Sequence, residues 1–142
     1  NWTDGRRILG DGKTIRGFVG GVTAGILIGA LQIYAEVSGL VPWFPPHTLT
    51  AVILLAVGSL LGDMVKSFFK RRQGIDRGGE WFLVDQLDFV VGALLLTLLF
   101  DSSWMMHTMT MPLLIVILVL TPLLHRTVNI IGYKLGLKKV PW

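Results

Sequence analysis

Cysteine is absent from this chain of 142 residues. Its absence excludes disulfide bonds, zinc–thiolate sites and catalysis by a thiol. Charge is also sparse, because Asp, Glu, Lys and Arg make up 15% of the residues, whereas 52% are hydrophobic. No secretory signal peptide is visible, since the first 16 residues are polar and rich in glycine. Soluble domains are nearly as apolar in bulk, so the distribution of the apolar residues is more informative than their number.

Four long apolar blocks are present, at residues 17–37, 48–65, 81–100 and 112–133. Each block is close to the roughly 20 apolar residues that a membrane-spanning helix needs. We therefore predict an all-α fold, a polytopic transmembrane helix bundle with four spans, in a single integral membrane domain over residues 1–142. The helices are predicted to cover residues 17–37, 48–69, 80–100 and 112–135.

Small residues and a proline indicate how these helices pack. Gly21, Gly25 and Gly29 form a small-residue face on the first helix, which favours close contact with a neighbouring helix. Pro122 lies inside the fourth helix and is expected to kink it. Segment 38–46 is rich in proline and aromatic residues, as is typical of a membrane interface, and segment 101–111 is predicted to be a short polar turn.

Lysine and arginine are missing from the segments that follow the first and third helices. All 13 of them lie near the N-terminus, around the loop 70–79, or near the end of the fourth helix. Four antiparallel spans place them all at one face, which the positive-inside rule predicts to be cytoplasmic. We expect a multi-pass protein of the cell membrane whose active site faces the cytoplasm. Because this asymmetry explains the net charge of +4, no nucleic-acid partner is predicted.

Three aspartates lie inside predicted spans, where an unpaired charge is costly and indicates function. Asp63 lies about 6 Å, Asp85 about 7 Å and Asp88 about 12 Å from the cytoplasmic edge of the hydrocarbon core, at about 1.5 Å of rise per residue. We predict that their carboxylates converge from two antiparallel helices. They could instead pair with basic residues only to lock the bundle, although like charges one turn apart repel unless a cation lies between them.

Basic and polar residues accompany the aspartates on the same helices. They are Lys66, Ser67 and Lys70 on the second helix, with Arg126 and Asn129 on the fourth. Carboxylates bind Mg²⁺ together with phosphate and water, whereas Lys and Arg bind phosphate oxygens. A pocket with both kinds of group is typical of phosphoryl or nucleotidyl transfer.

The segment GDGKT at residues 10–14 precedes the first helix and fits a phosphate as well. Its glycines let backbone N–H groups approach a phosphate, and the helix points its positive end towards the segment. It is not a Walker A motif, because Arg7 stands where that pattern needs glycine. The segment could equally be an ordinary turn, and the loop 70–79 could be a patch that binds lipid headgroups. The three histidines show no metal-ligand spacing.

Two segments resemble a known family, DGRRILGDGKTIRG at residues 4–17 and GDMVKSFFKRRQGIDRGGEWFLVDQLDFVVGAL at residues 62–94. They closely resemble CDP-archaeol synthases, and the resemblance extends over almost the whole chain. The second segment is also similar to the signature of CDP-diacylglycerol synthases, in which a serine is followed by Lys-Arg and then by two aspartates three residues apart. In this chain those residues are Ser67, Lys70, Arg71, Asp85 and Asp88.

The resemblance implies a reaction and its partners. A cytidylyl group would pass from CTP to the phosphate of a geranylgeranyl ether lipid within the membrane, giving CDP-archaeol in its unsaturated form and pyrophosphate, with Mg²⁺ as cofactor. The resemblance also implies five transmembrane helices, of which the first would precede Asn1.

Roles follow from the resemblance together with the residue chemistry. The predicted metal ligands are Asp63, Asp85 and Asp88. The residues predicted to bind the nucleotide phosphates are Gly10, Asp11, Gly12, Lys13, Thr14, Arg16, Lys66, Ser67, Lys70, Arg71, Arg72 and Arg77. The predicted catalytic residues are Asp85, Asp88 and Lys70. Arg126 and Asn129 are assigned to the lipid phosphate from the residues alone.

A small transporter with an intramembrane Asp/Arg ion pathway is the main alternative, because buried charges also mark ion pathways. Transporter sites tend to lie at the midplane between inverted repeats, whereas here the charges gather near one face and no repeat is visible. A purely structural anchor would leave aspartates at membrane depth unexplained.

Overall fold

A computed structural model of the chain describes residues 13–75, 79, 81 and 83–138. The helices, in chain order, are α1 (Ile15–Val37), α2 (Leu49–Arg72), α3 (Val84–Phe100), α4 (Ser102–Thr108) and α5 (Met111–Lys134). Within the described residues there is no β-strand, so the prediction of an all-α fold is confirmed.

Three helices, α1, α2 and α5, are long and apolar enough to cross a membrane. The 17-residue α3 is followed by α4 at a bend of 120°, and the two together would make a fourth span. Large apolar side chains such as Leu31, Leu99 and Val119 are exposed along the long helices, as expected where the surrounding solvent is lipid rather than water. The protein is therefore a multi-pass membrane protein, and the third predicted span, over residues 80–100, stays a prediction.

Several predicted helix boundaries are wrong. The third helix begins at Val84 rather than at residue 80, because Leu83 has a φ of 63° and this left-handed conformation cannot continue a right-handed helix. The second helix runs on to Arg72, so residues 70–72 of the predicted basic loop are helical. The predicted turn 101–111 contains α4, whose first turn is capped by the Asp101 carboxylate at 3.2 Å from the Trp104 backbone nitrogen.

Glycines on α1 pack against α2, as the small-residue face predicts. A Cβ added at Gly29 would lie 2.3 Å from Val52 Cγ1, and one at Gly25 would lie 2.9 Å from Ala56 Cβ. At both positions a larger residue would push the two helices apart. The predicted face is therefore confirmed. The α5 helix runs without interruption through Pro122, and the kink there stays a prediction.

A closer contact joins α2 to α3 and uses glycines that the sequence analysis did not single out. A Cβ added at Gly62 would lie 2.2 Å from the carbonyl oxygen of Asp88, and one at Gly92 would lie 2.4 Å from the carbonyl oxygen of Gly58. The two backbones therefore touch without side chains between them. This contact brings the segment that follows Gly62 on α2 directly against the first turns of α3.

Candidate active site

The three aspartates of α2 and α3 surround one ammonium group. Lys66 Nζ lies 3.1 Å from Asp63 Oδ1, 3.3 Å from Asp85 Oδ1 and 2.9 Å from Asp88 Oδ2. Asp63 and Lys66 come from α2, whereas Asp85 and Asp88 come from α3, so the ion pairs cross the glycine contact. The carboxylates meet as the depth count predicts, and a cation lies between them.

Two further lysines complete the cluster. Lys70 Nζ donates to both carboxylate oxygens of Asp85, at 3.0 and 2.7 Å, and Lys13, just before α1, donates to Asp63 Oδ2. Asp85 also accepts a hydrogen bond from the Trp81 backbone N–H at 2.7 Å, which fixes its carboxylate in the first turn of α3.

The charges of this cluster balance, since three ammonium groups face three carboxylates. Balance is needed because several of the groups are well buried: the Asp88 side chain is 5% exposed and that of Lys70 is 10% exposed. An unpaired charge at such depth costs several kcal/mol. The same arrangement gathers in one place ammonium groups, which bind phosphate, and carboxylates, which bind divalent metal ions.

The chemistry of the donor set fits a hard divalent cation. Asp88 Oδ2 is buried, and the Lys66 ammonium group lies 2.9 Å from it. Carboxylate oxygens are the ligand type that Mg²⁺ prefers. Among the described residues no group of three or more His, Cys, Asp or Glu side chains is arranged to hold a metal ion, and the metal ligand set stays a prediction.

Two cavities adjoin at Asp63. One of about 330 Å³ is lined by Ser59, Leu60, Asp63, Lys66, Asp85, Asp88, Phe89 and His125. The other, of about 420 Å³, is lined by Lys13, Thr14, Ile15, Gly17, Phe18, Leu60, Leu61, Asp63 and Met64. The first holds the charged cluster. The second includes the N-terminus of α1, where Thr14 Oγ1 accepts from the Gly17 backbone N–H at 3.0 Å.

The remaining residues predicted to bind the nucleotide differ in how far they are buried and in what they contact. Ser67 is buried, Arg16 is exposed, and Arg71 is half-buried. The Arg72 guanidinium lies 4.9 Å from the centre of the Phe68 ring, a cation–π contact. Gly10, Asp11, Gly12 and Arg77 lie outside the described residues. Among the described residues, three of the predicted phosphate-binding cations form ion pairs with the aspartates. They are Lys13, Lys66 and Lys70.

The fourth predicted span contributes a residue that the sequence analysis set aside. His125 on α5 lines the charged cavity, whereas the adjacent Arg126 side chain is exposed. Asn129 Nδ2 lies 3.3 Å from His125 Nδ1, and Lys138 Nζ donates to Asn129 Oδ1 at 2.6 Å. The spacing of four between His125 and Asn129 could have revealed this pairing, because it places both on one helix face.

Comparisons with known proteins show which family the chain resembles. The family described as CarS-like, CDP-archaeol synthase, matches residues 1–142. A CDP-archaeol synthase of Methanospirillum hungatei JF-1 is 94% identical over 142 residues, which cover 100% of this chain and 86% of the relative. The CDP-archaeol synthase of Methanoculleus marisnigri is 55% identical and is matched over 99% of this chain and 85% of its own length.

A solved structure, described as an intramembrane enzyme for archaeal membrane lipids biosynthesis, has a similar fold. It aligns with a TM-score of 0.72 and 38% identity, over 91% of this chain and 74% of that chain. The chain belongs to the CDP-archaeol synthase family.

Proposed function

We propose that this protein is a cytidylyltransferase that forms CDP-archaeol from CTP and an archaeal ether-lipid phosphate. The observation that carries the proposal is the meeting of Asp63, Asp85 and Asp88 around Lys66 at the α2–α3 contact. A transporter would not need this concentration of carboxylates and lysines near one end of the helices, and the family match does not favour it.

The finer identity of the reactants rests on the family resemblance. The acceptor is proposed to be the phosphate of an unsaturated geranylgeranyl ether lipid, and the products CDP-archaeol and pyrophosphate. The single domain of residues 1–142 would cross the membrane four times, with the bent α3–α4 pair as the third span. The lysines and arginines would face the cytoplasm, where CTP is available.

The reaction replaces one phosphoanhydride bond by another. An oxygen of the lipid phosphate attacks the α-phosphorus of CTP, and the bond from that phosphorus to the bridging β-phosphate oxygen breaks, so that pyrophosphate leaves with the electron pair. The nucleophile is already an anion, so no strong general base is required. The protein then contributes chiefly by positioning the two phosphates and by offsetting negative charge.

Residues of the charged cluster have separate proposed tasks. Asp63, Asp85 and Asp88 would hold Mg²⁺, which when bound neutralises the triphosphate and withdraws electrons from the α-phosphate. Lys66 and Lys70 would offset the charge that develops on the departing pyrophosphate.

The second cavity suits the rest of the triphosphate. Lys13 and Thr14 lie at the N-terminus of α1, where free backbone N–H groups and the helix dipole favour an anion. Further phosphate contacts are proposed for Gly10, Asp11, Gly12, Arg16, Ser67, Arg71, Arg72 and Arg77. The lipid phosphate is proposed to approach from the α5 side, where Arg126 and Asn129 would receive it.

A label-transfer assay tests the proposal. Purified protein is incubated with the geranylgeranyl lipid phosphate, Mg²⁺ and CTP labelled at the α-phosphate, and the lipid phase is examined for label. We expect labelled lipid together with unlabelled pyrophosphate, loss of both with EDTA, and recovery when Mg²⁺ is restored. Failure to label the lipid with any divalent metal would overturn the enzyme assignment. Ion flux into vesicles containing the protein would support the transporter instead.

A further inference from the structure

Lys66 has an unusual position within the charged cluster. Its ammonium group contacts three carboxylates from two helices, whereas Lys70 contacts Asp85 and Lys13 contacts Asp63. The Nζ of Lys66 therefore lies at the point on which the carboxylates converge. A divalent cation bound by these carboxylates would have to displace this ammonium group.

The Lys66 side chain also has room to move. The side chain of Lys66 is 14% exposed and lines the charged cavity, so it can turn towards a ligand there without crossing protein. Lysine is suited to such movement because its ammonium group is a compact charge on a flexible stem.

We propose, building on the proposed function, that Lys66 is a tethered substitute for the metal ion. When no nucleotide is bound, its ammonium group holds the three carboxylates together. When the divalent cation binds with the triphosphate, the cation displaces this ammonium group, which then turns to contact the phosphates. Lys66 is thus a positioning residue that couples binding of the metal to binding of the triphosphate.

Electrostatics explain why the two ligands must then bind together. The cluster is neutral with Lys66 in place, so a divalent ion alone would displace an ammonium group and leave excess positive charge in a buried site. A triphosphate supplies the negative charge that both the ion and the displaced ammonium group need. Each ligand therefore strengthens the binding of the other, as thermodynamic linkage requires.

The test is equilibrium binding of Mn²⁺, followed by its electron paramagnetic resonance signal, with and without CTP and in the absence of lipid phosphate, so that no turnover occurs. In the unmutated protein CTP should strengthen Mn²⁺ binding by about tenfold or more, beyond what the Mn²⁺–CTP complex in solution explains. Lys66→Met should bind Mn²⁺ alone about tenfold more tightly than the unmutated protein, and the gain from CTP should shrink correspondingly.

Lys70→Met is the matched control, because it removes the same charge from an ammonium group that contacts a single carboxylate. An equal gain in Mn²⁺ affinity in both variants would mean that only the overall charge matters, and would overturn the inference. So would an unchanged Mn²⁺ affinity in Lys66→Met.

Measurements on the unmutated protein keep the inference testable if Lys66→Met does not fold. Mn²⁺ binding that is the same with and without CTP would contradict the coupling. The inference and the proposed function fail in different ways. If the function is wrong, no labelled lipid forms, whereas if only the inference is wrong, labelled lipid forms but Mn²⁺ binding does not respond to Lys66.

Discussion

Polar groups gather at two opposite ends of the helices and are used differently at each. At one end, charged side chains pair with each other across helices, as Lys66 does with Asp85 and Asp88. At the other end, side chains bond mainly to backbone groups. There Glu36 Oε2 accepts from the His47 backbone N–H at 3.0 Å, and Trp104 Nε1 donates to the Pro46 carbonyl at 2.8 Å.

This difference in bonding partners indicates that the polar groups at one end stabilise the fold, whereas those at the other end are suited to binding a ligand. The Glu36 and Trp104 bonds satisfy backbone groups at helix ends and in the linker, which any folded chain must do. Those of the Lys66 cluster mainly join side chains of different helices, and Asp85 also accepts from the Trp81 backbone N–H. Replacing buried ion pairs by apolar residues is often neutral or stabilising, so folding alone does not account for several of them. The proposed metal and nucleotide site would account for them.

Removing a carboxylate from the charged cluster should have the largest effect. Asp88→Asn keeps the shape of the side chain but removes a charge that we assign to metal binding. We expect label transfer to lipid to fall by about a hundredfold or more, while the far-ultraviolet circular dichroism stays unchanged.

Asp101→Asn is the control for this substitution at the opposite end. Asparagine caps a helix about as well as aspartate, so the first turn of α4 should keep its cap and the variant should keep its activity. Near-full turnover in a folded Asp88→Asn protein would show that the contrast between the two ends is not functional.

Separating the helices without touching a charge should have the next largest effect. The Cβ of Gly92→Ala would lie 2.4 Å from a backbone oxygen of α2, so the helices must move apart, at a cost of about 1–3 kcal/mol. We expect a lower melting temperature in detergent and a parallel loss of label transfer, because the carboxylates of α3 would leave Lys66.

Gly20→Ala is the matched control for Gly92→Ala. The same methyl group at Gly20 meets no atom within 4 Å, and alanine favours a helix over glycine by up to about 1 kcal/mol. Its stability and activity should therefore be retained or slightly raised. Equal loss of activity in both variants would mean that helix separation is not the cause.

The comparison also shows which parts of this structure could be predicted from the sequence. Long apolar blocks predict the long helices, and a count of helical rise predicts that the carboxylates of Asp63, Asp85 and Asp88 converge, because both depend chiefly on regular helix geometry. The start of α3 could not be predicted, since a left-handed leucine at residue 83 has no signal in a run of apolar and polar residues.

The ion-pair partner of each lysine in the site could not be predicted from the sequence either. The sequence predicts the same role, phosphate binding, for Lys66, Lys70 and Lys13. Only the α2–α3 contact determines that Lys66 reaches three carboxylates. The glycine spacing 58–62 could have indicated that contact. His125 was discounted for lack of metal-ligand spacing, but a cavity is built from several helices and depends on the rotation of each.

A smaller effect is expected on α5, where the lipid phosphate is proposed to bind. Arg126→Gln removes an exposed charge next in sequence to His125, which lines the cavity. If Arg126 receives the lipid phosphate as proposed, the KM for that substrate should rise by about tenfold, which is the contribution of a charged hydrogen bond, with little change in kcat. Lys134→Gln, an exposed cation on the same helix, should leave both values unchanged. Equal effects of the two would indicate general attraction to the anionic lipid rather than a specific contact.

The smallest effect should follow a change at the backbone-bonding end. Glu36→Gln keeps an oxygen that can accept from the His47 backbone N–H and loses only the negative charge near the His47 ring, whose Nδ1 lies 3.7 Å from Glu36 Oε2. Even a fully charged pair at such a site contributes about 1 kcal/mol or less, so the melting temperature should fall slightly at most and label transfer should not change. If activity fell as far as in Asp88→Asn, the two ends would be coupled through α1 and α2, and neither could be called purely structural.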